Sequence, residues 1–179
     1  DQDFIKRVIA IPGDKLEARG GHPIINGWTV PSCNAGTYSY QEAQDGSKHE
    51  GEVFVEFLED EAYLTLYDRQ ALQNEYQGPF YVKPNEVWVM GDNRNNSHDS
   101  RMWFGGSLGG TGSGGGVPYE NIKGRALFVW LSVSETIDWS RMFAPVMGRP
   151  PSHGPFPGMN PALKALEPNV ENCLKKRPP

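Results

Sequence analysis

Residues 3–14 read Asp3-Phe4-Ile5-Lys6-Arg7-Val8-Ile9-Ala10-Ile11-Pro12-Gly13-Asp14. Apolar and β-branched residues dominate up to Pro12, and Pro-Gly-Asp is a turn signal, so we predict a β-strand over residues 4–11. Successive side chains of a strand point to opposite faces. One face therefore carries Phe4, Lys6, Val8 and Ala10. The other face carries Ile5, Arg7, Ile9 and Ile11. This alternation places one lysine among apolar neighbours.

Lys6 has two interpretations at this position. A lysine amine is a general base only when it is neutral, and removal from water favours the neutral form. An apolar strand face supplies such an environment, whereas Arg7 stays charged and needs an acidic partner on its own face. The alternative is that both residues are solvated charges of an edge strand. The strand alone does not decide between the two.

Further strands are predicted from β-rich runs bounded by turn residues. Turns are expected at Gly20-Gly21 and Asn26-Gly27. Residues 53–58 and 62–67 are close enough to form a hairpin, residues 79–82 and 86–90 form the next strand pair, and residues 125–132 form another apolar strand.

A second polar segment follows the apolar strand predicted at residues 86–90. It reads Gly91-Asp92-Asn93-Arg94-Asn95-Asn96-Ser97-His98-Asp99-Ser100-Arg101, and ten of its eleven side chains are polar or charged. Asn, Asp and Ser form short-range hydrogen bonds that fix irregular backbone. On composition alone, the segment is a well-satisfied surface loop.

Together, the two segments resemble the lysine box and the GDNRxNSxDSR box of type I signal peptidases, the S26 family of Ser–Lys proteases. They occur in the family's order, with an insert of variable length between them. Val117-Pro118 and residues 122–126 are similar to the segment that follows the second box in that family. The resemblance covers roughly residues 1–135.

The resemblance implies roles for seven residues. Lys6 corresponds to the general base that deprotonates a serine hydroxyl, and Ser97 corresponds to the serine that orients the lysine. Ile5 corresponds to a position lining the pocket for the small residues of the cleavage site. The positions that correspond to scaffold-bracing charges are Arg7, Asp92, Asp99 and Arg101.

The resemblance also implies a mostly β fold, with an antiparallel β-sheet catalytic core of the signal-peptidase and LexA-like type and an inserted β-rich lobe. The expected divisions are a core at 1–15 and 79–144, a lobe at 16–78, a Gly-rich flexible loop at 105–116 and a Pro-rich tail at 145–179. The implied partners are the signal peptides of secretory preproteins and, through an N-terminal anchor, a membrane. The implied location is the extracytoplasmic, periplasmic face of the bacterial inner membrane, with this part itself soluble. The chemistry requires no metal or organic cofactor.

The chain also departs from the family pattern. The family's nucleophile lies in a Ser-x-Met-x-Pro-Thr motif upstream of the lysine box, and these 179 residues contain no such motif. We therefore expect the chain to hold the base without the nucleophile serine or the membrane anchor, and to be inactive alone. Asn95 stands where the family often has Asp, which we expect to loosen one brace. The Gly-rich insert, native or engineered, is expected to be a mobile loop.

Composition excludes other function classes. The net charge of −5 argues against nucleic-acid binding, which needs a basic face. The apolar run at 126–131 is far shorter than the ~20 residues of a membrane-spanning helix. The four histidines show no metal-ligand spacing.

Cys33 and Cys173 lie far apart, and the sequence leaves their pairing open. The Pro-rich tail is expected to be unstructured, with at most one short helix after Asn160-Pro161.

The sequence also allows two further hypotheses. A non-catalytic module of the same fold would bind extended peptides along a strand edge. A self-cleaving Ser–Lys protease of the LexA type is a third reading, but the pattern over residues 93–101 and the lack of a DNA-binding segment speak against it.

Overall fold

Strands dominate this computed structural model. It describes residues 3–41, 46–68, 75–103, 114–130, 139, 142–146 and 161–177. Strands make up 46% and helices 14%, which confirms the mostly β fold that the sequence predicts. In chain order the strands are β1 (Arg7–Ala10), β2 (Lys15–Arg19), β3 (His22–Ile25), β4 (Trp28–Thr29), β5 (Ser32–Gln41), β6 (Lys48–Leu58), β7 (Glu61–Asp68), β8 (Tyr76–Tyr81), β9 (Glu86–Met90) and β10 (Val117–Pro118).

The chain divides into two compact units. Unit 1 comprises Asp1–Val30 and Leu66–Gly124, and unit 2 comprises Pro31–Thr65 and Arg125–Pro179. This division cuts through the lobe expected at 16–78, whose bounds stay a prediction.

The first sheet of unit 1 has the order β1-β9-β10, with both pairs antiparallel. Strand β9 lies in the centre, and its last four residues are buried. Strand β1 is shorter than the predicted 4–11, and a register shift between Val8 and Ala10 interrupts its pairing. That irregularity breaks the predicted face: Ala10 is buried whereas Val8 is exposed. Phe4 is also exposed, so the expectation of an enclosing apolar face around Lys6 is wrong in these two residues.

The second sheet of unit 1 has the order β4-β3-β2-β8. Its turns lie at Gly20-Gly21 and Asn26-Gly27, where the sequence predicts them. All four residues have positive φ, as two-residue hairpin turns of this kind require. Strand β8 pairs with β2, whereas β9 pairs with β1 and β10. The prediction that β8 and β9 form a strand pair is therefore wrong, because each finds its partner elsewhere in the chain.

A third sheet has the order β5-β6-β7 and belongs to unit 2, except that β7 runs on into unit 1 from Leu66. The hairpin predicted from residues 53–58 and 62–67 is present as β6 and β7. The strand predicted at 125–132 is not formed over 125–130, where Phe128 makes one isolated bridge to Pro145. Three backbone hydrogen bonds join residues 127–129 to residues 143–146, so the pairing of this segment is limited to a few residues.

The end of the chain is folded where the sequence predicts an unstructured tail. A 3₁₀ helix at Pro161–Leu166, the site of the short helix allowed for, leads into helix α1 (Glu167–Lys175). Cys173 forms a disulfide with Cys33 of β5, and the two Cα atoms lie 5.7 Å apart. Helix α1 buries its apolar side, which consists of Val170, Cys173 and Leu174. The tail is therefore anchored over 161–177, because a covalent bond and a small apolar face fix it.

Part of the expected Gly-rich loop, residues 105–113, lies outside the described residues, as does the tail segment 147–160. Among the residues that the structure describes, no helix is long and apolar enough to cross a lipid bilayer.

Candidate active site

Lys6 and Ser97 meet in unit 1. The Lys6 Nζ donates a hydrogen bond to the Ser97 Oγ at 2.8 Å, and both side chains are partly buried. The sheet register explains how residues 91 positions apart meet. Arg7 pairs with Met90, so the residue before β1 lies beside the residue after β9. The loop at 91–101, which we call the polar loop, therefore begins next to the lysine.

Arg7 finds the acidic partner that its charge requires. Its Nε and Nη2 donate to the two carboxylate oxygens of Asp92, both at 2.8 Å. Such a two-point contact fixes the orientation of both groups better than a single hydrogen bond. The pair joins the start of β1 to the start of the polar loop, directly beside Lys6.

Asp99 and Arg101 form a second ion pair, which is buried. The side chains are 0% and 1% exposed, and the Arg101 Nη2 lies 2.7 Å from an Asp99 oxygen. The same carboxylate accepts the Gly91 backbone N–H at 2.9 Å. Arg101 Nη2 also donates to the Arg94 carbonyl at 2.6 Å. One buried pair thus ties together the beginning, middle and end of the polar loop.

The protonation of Asp99 follows from this environment. Burial by itself would raise the pKa of the Asp99 carboxyl, since desolvation disfavours the charged form. The hydrogen bonds and charge of Arg101, with backbone N–H groups of Gly91 and Arg101, outweigh burial and hold the pKa below 3.8, its ordinary value. Asp99 is therefore a carboxylate at neutral pH.

Gly91 is a site residue that the sequence reasoning missed. A Cβ at this position would lie 2.1 Å from the Ser97 Oγ and 3.5 Å from the Lys6 Nζ. Only a residue without a side chain leaves room for the contact between Lys6 and Ser97. The signal was present in the sequence, because Gly91 is the one residue of the polar loop that offers no polar side chain.

Asn95 and His98 have local partners. The Asn95 Oδ1 accepts the Asp68 backbone N–H at 3.0 Å, so an amide at this position makes a defined contact. The Trp103 Nε1 donates to the His98 Nδ1 at 3.2 Å. Ile5 is 70% exposed beside Lys6, and its role in a substrate pocket stays a prediction.

An antiparallel β scaffold that brings a lysine amine to a serine hydroxyl is typical of the Ser–Lys class of β-sheet proteases. The sequence matches the family described as signal peptidase, peptidase S26, over residues 1–131. The chain belongs to this family.

Curated relatives agree with the family match. Signal peptidase I of Rickettsia typhi is 31% identical over 140 residues, which are 74% of this chain and 47% of that protein. Signal peptidase I of Rickettsia akari is 28% identical over 144 residues, 76% of this chain and 47% of the relative. The chain thus spans about half the length of the curated relatives it matches.

Proposed function

We propose that this chain is the lysine-bearing part of a signal peptidase I, a serine endopeptidase that cleaves N-terminal signal peptides from exported preproteins. The observation that carries the proposal is the 2.8 Å contact between the Lys6 Nζ and the Ser97 Oγ. A lysine that acts as a general base must have its lone pair oriented, and a neighbouring hydroxyl does this.

Lys6 takes the proton of a serine hydroxyl while that oxygen attacks the scissile carbonyl. The protonated amine then delivers the proton to the leaving nitrogen, and the same lysine activates the water that hydrolyses the acyl-enzyme. Ser97 holds the amine during both steps. We assign the nucleophilic serine to none of these 179 residues, because they contain no Ser-x-Met-x-Pro-Thr motif.

The other assigned residues shape the surroundings of the dyad. Ile5 contributes an exposed apolar side chain next to Lys6, suited to small apolar groups of a signal peptide. The ion pairs Arg7–Asp92 and Arg101–Asp99 hold β1 and the polar loop in register. We further propose a membrane-anchored enzyme that works on the extracytoplasmic side and needs neither cofactor nor nucleic acid.

The test compares the 179-residue chain with the product of its complete coding sequence. Both are incubated with a preprotein in detergent, and the new N-terminus is identified by mass spectrometry. We expect cleavage after small residues by the complete product and none by the chain alone. The proposal is wrong if the chain alone cleaves and its Lys6→Ala variant does not, since the nucleophile would then lie within these residues.

A further inference from the structure

The polar loop is held from a side that neither sequence box includes. Its Asn93 forms a bridge with Leu66 at the end of β7. The Leu66 N–H donates to the Asp92 carbonyl at 2.8 Å, and the Arg94 N–H donates to the Leu66 carbonyl at 2.9 Å. The backbone of the loop is therefore hydrogen-bonded to β7 near the end of that strand, two residues before Asp68.

Arg94 extends this connection through its side chain. The residue is fully buried, and its Nη1 donates to the Tyr67 hydroxyl at 2.8 Å and to the Gly21 carbonyl at 3.1 Å. Its guanidinium carbon also lies 5.7 Å from the centre of the Tyr67 ring. The phenol is thus a direct polar partner of a buried charge, a contact worth more than one between neutral groups.

Tyr67 is itself tightly packed. The His22 ring stacks on it, with centroids 4.1 Å apart and planes 17° from parallel. A Cβ added at Gly21 would lie 3.0 Å from the Tyr67 ring, so the ring packs into the space that a side chain at position 21 would occupy. Tyr67 therefore presents its hydroxyl to Arg94 from a fixed position.

The contacts from Arg94 lead to the candidate dyad in three steps. The Arg94 carbonyl accepts a hydrogen bond from Arg101. Arg101 pairs with Asp99, and Asp99 accepts the N–H of Gly91, the residue packed against Ser97. A displacement of Arg94 acts on both sides of Ser97. Arg94 itself lies three residues before Ser97, and its carbonyl holds Arg101, which lies four residues after Ser97.

We propose that Tyr67 is a positioning residue for the Lys6–Ser97 pair: through Arg94 it holds the polar loop in the geometry that brings the serine hydroxyl to the lysine amine. Its contribution to catalysis rests on the proposed function, whereas its effect on the geometry of the pair does not. Neither the lysine box nor the serine box contains this tyrosine or the histidine stacked on it.

The experiment measures the reactivity of the Lys6 amine in the folded 179-residue chain. Limiting acetic anhydride acetylates the native protein, mass spectrometry quantifies each lysine, and exposed Lys48 of β6 is the internal standard. The Ser97→Ala variant gives the rate without the serine contact. Tyr67→Phe removes one hydrogen bond to a buried charge. The acetylation rate of Lys6 should therefore rise about threefold or more, towards the rate measured in Ser97→Ala.

Tyr76→Phe is the matched control, because it removes a phenol hydrogen bond to Glu17 within the same unit. It should leave the Lys6 rate unchanged. An unchanged rate in folded Tyr67→Phe overturns the proposal, and so does an equal rise in both variants, since that would indicate general loosening. If Tyr67→Phe does not fold, His22→Leu replaces it: this variant keeps the phenol and removes the stacked ring, and a Lys6 rate equal to that of the unmodified chain overturns the proposal.

The outcome also separates this proposal from the proposed function. If Lys6 reactivity responds to Tyr67→Phe but the complete gene product cleaves preproteins normally with Lys6→Ala, the positioning role stands and the protease assignment falls. If Lys6→Ala abolishes cleavage while Tyr67→Phe leaves Lys6 reactivity unchanged, the protease assignment stands and the positioning role falls.

Discussion

Gly91 lies so close to Ser97 that a Cβ at position 91 would stand 2.1 Å from the serine Oγ, well inside contact distance. The added Cβ would also lie 2.5 Å from the Ser97 Cβ, so rotation of the hydroxyl does not relieve the clash. The backbone at Gly91 or Ser97 has to move, and this disturbs the 2.8 Å contact between the hydroxyl and the Lys6 amine. The geometry of the pair therefore depends on the absence of a side chain at its edge.

Gly91→Ala should break the contact between Lys6 and Ser97. The loss of a hydrogen bond to a charged or proton-transferring group corresponds to about tenfold or more in the cleavage rate of the complete gene product. Acetylation of Lys6 should rise to the rate found in Ser97→Ala. If Lys6 in Gly91→Ala reacts as slowly as in the unmodified chain, the close approach does not control the pair.

Asp99→Asn should destabilise unit 1 strongly. The substitution leaves the Arg101 guanidinium buried without its counter-charge, which costs about 3–5 kcal/mol in the free energy of unfolding. Urea unfolding followed by tryptophan fluorescence measures the loss. The control is Asp3→Asn, whose partner Lys123 is 73% exposed, and this exposed pair should contribute nothing measurable. Equal losses in the two variants would contradict the argument from burial.

Acidification should weaken the fold through Asp99. Its pKa is below 3.8 in the folded chain, so at low pH the unfolded chain takes up a proton more readily than the folded chain does. The stabilisation is complete above pH 3.8 and is lost as the pH falls through the folded-state pKa. Urea unfolding at pH 7 and at decreasing pH below 4 should show a steeper loss in the unmodified chain than in Asp99→Asn. Parallel pH profiles would exclude Asp99 as a source of the loss.

The disulfide between Cys33 and Cys173 should stabilise unit 2 by closing a loop of 140 positions. Replacing both cysteines by serine should cost about 2–5 kcal/mol in the free energy of unfolding. The amide protons of α1 should then exchange faster with solvent, while those of β9 keep their rates. A helix that stays equally protected without the disulfide would show that Val170 and Leu174 alone hold it.

The sequence predicted the parts of the site that depend on chemical type and chain order. Lys6, Ser97 and the need of Arg7 for an acid follow from the two boxes and from the fact that a guanidinium keeps its charge. The mostly β fold is what the resemblance implies, and the β6–β7 hairpin follows from two β-rich runs that lie close together in the sequence. These features depend on residues that lie close together in the chain, or on combinations of residue types that few other structures require.

The remaining features depend on which distant residues meet. Tyr67 belongs to a strand with an ordinary alternating pattern, and only the folded chain shows that its hydroxyl reaches Arg94. The apolar positions Val170, Cys173 and Leu174 have helical spacing, but proline content concealed this signal. The register shift in β1 likewise arises from pairing with β9 and has no mark in the sequence of the strand.

If Lys6 is the general base, removal of its amine must lower the kcat/KM of the complete gene product on a preprotein. Lys6→Met keeps the length and removes the amine, and Lys15→Met makes the same change on β2, where Lys15 pairs with Glu17. We predict a loss of about 10³-fold or more for Lys6→Met and wild-type kinetics for Lys15→Met. Retention of normal kcat/KM by a folded Lys6→Met variant would show that Lys6 is not the general base.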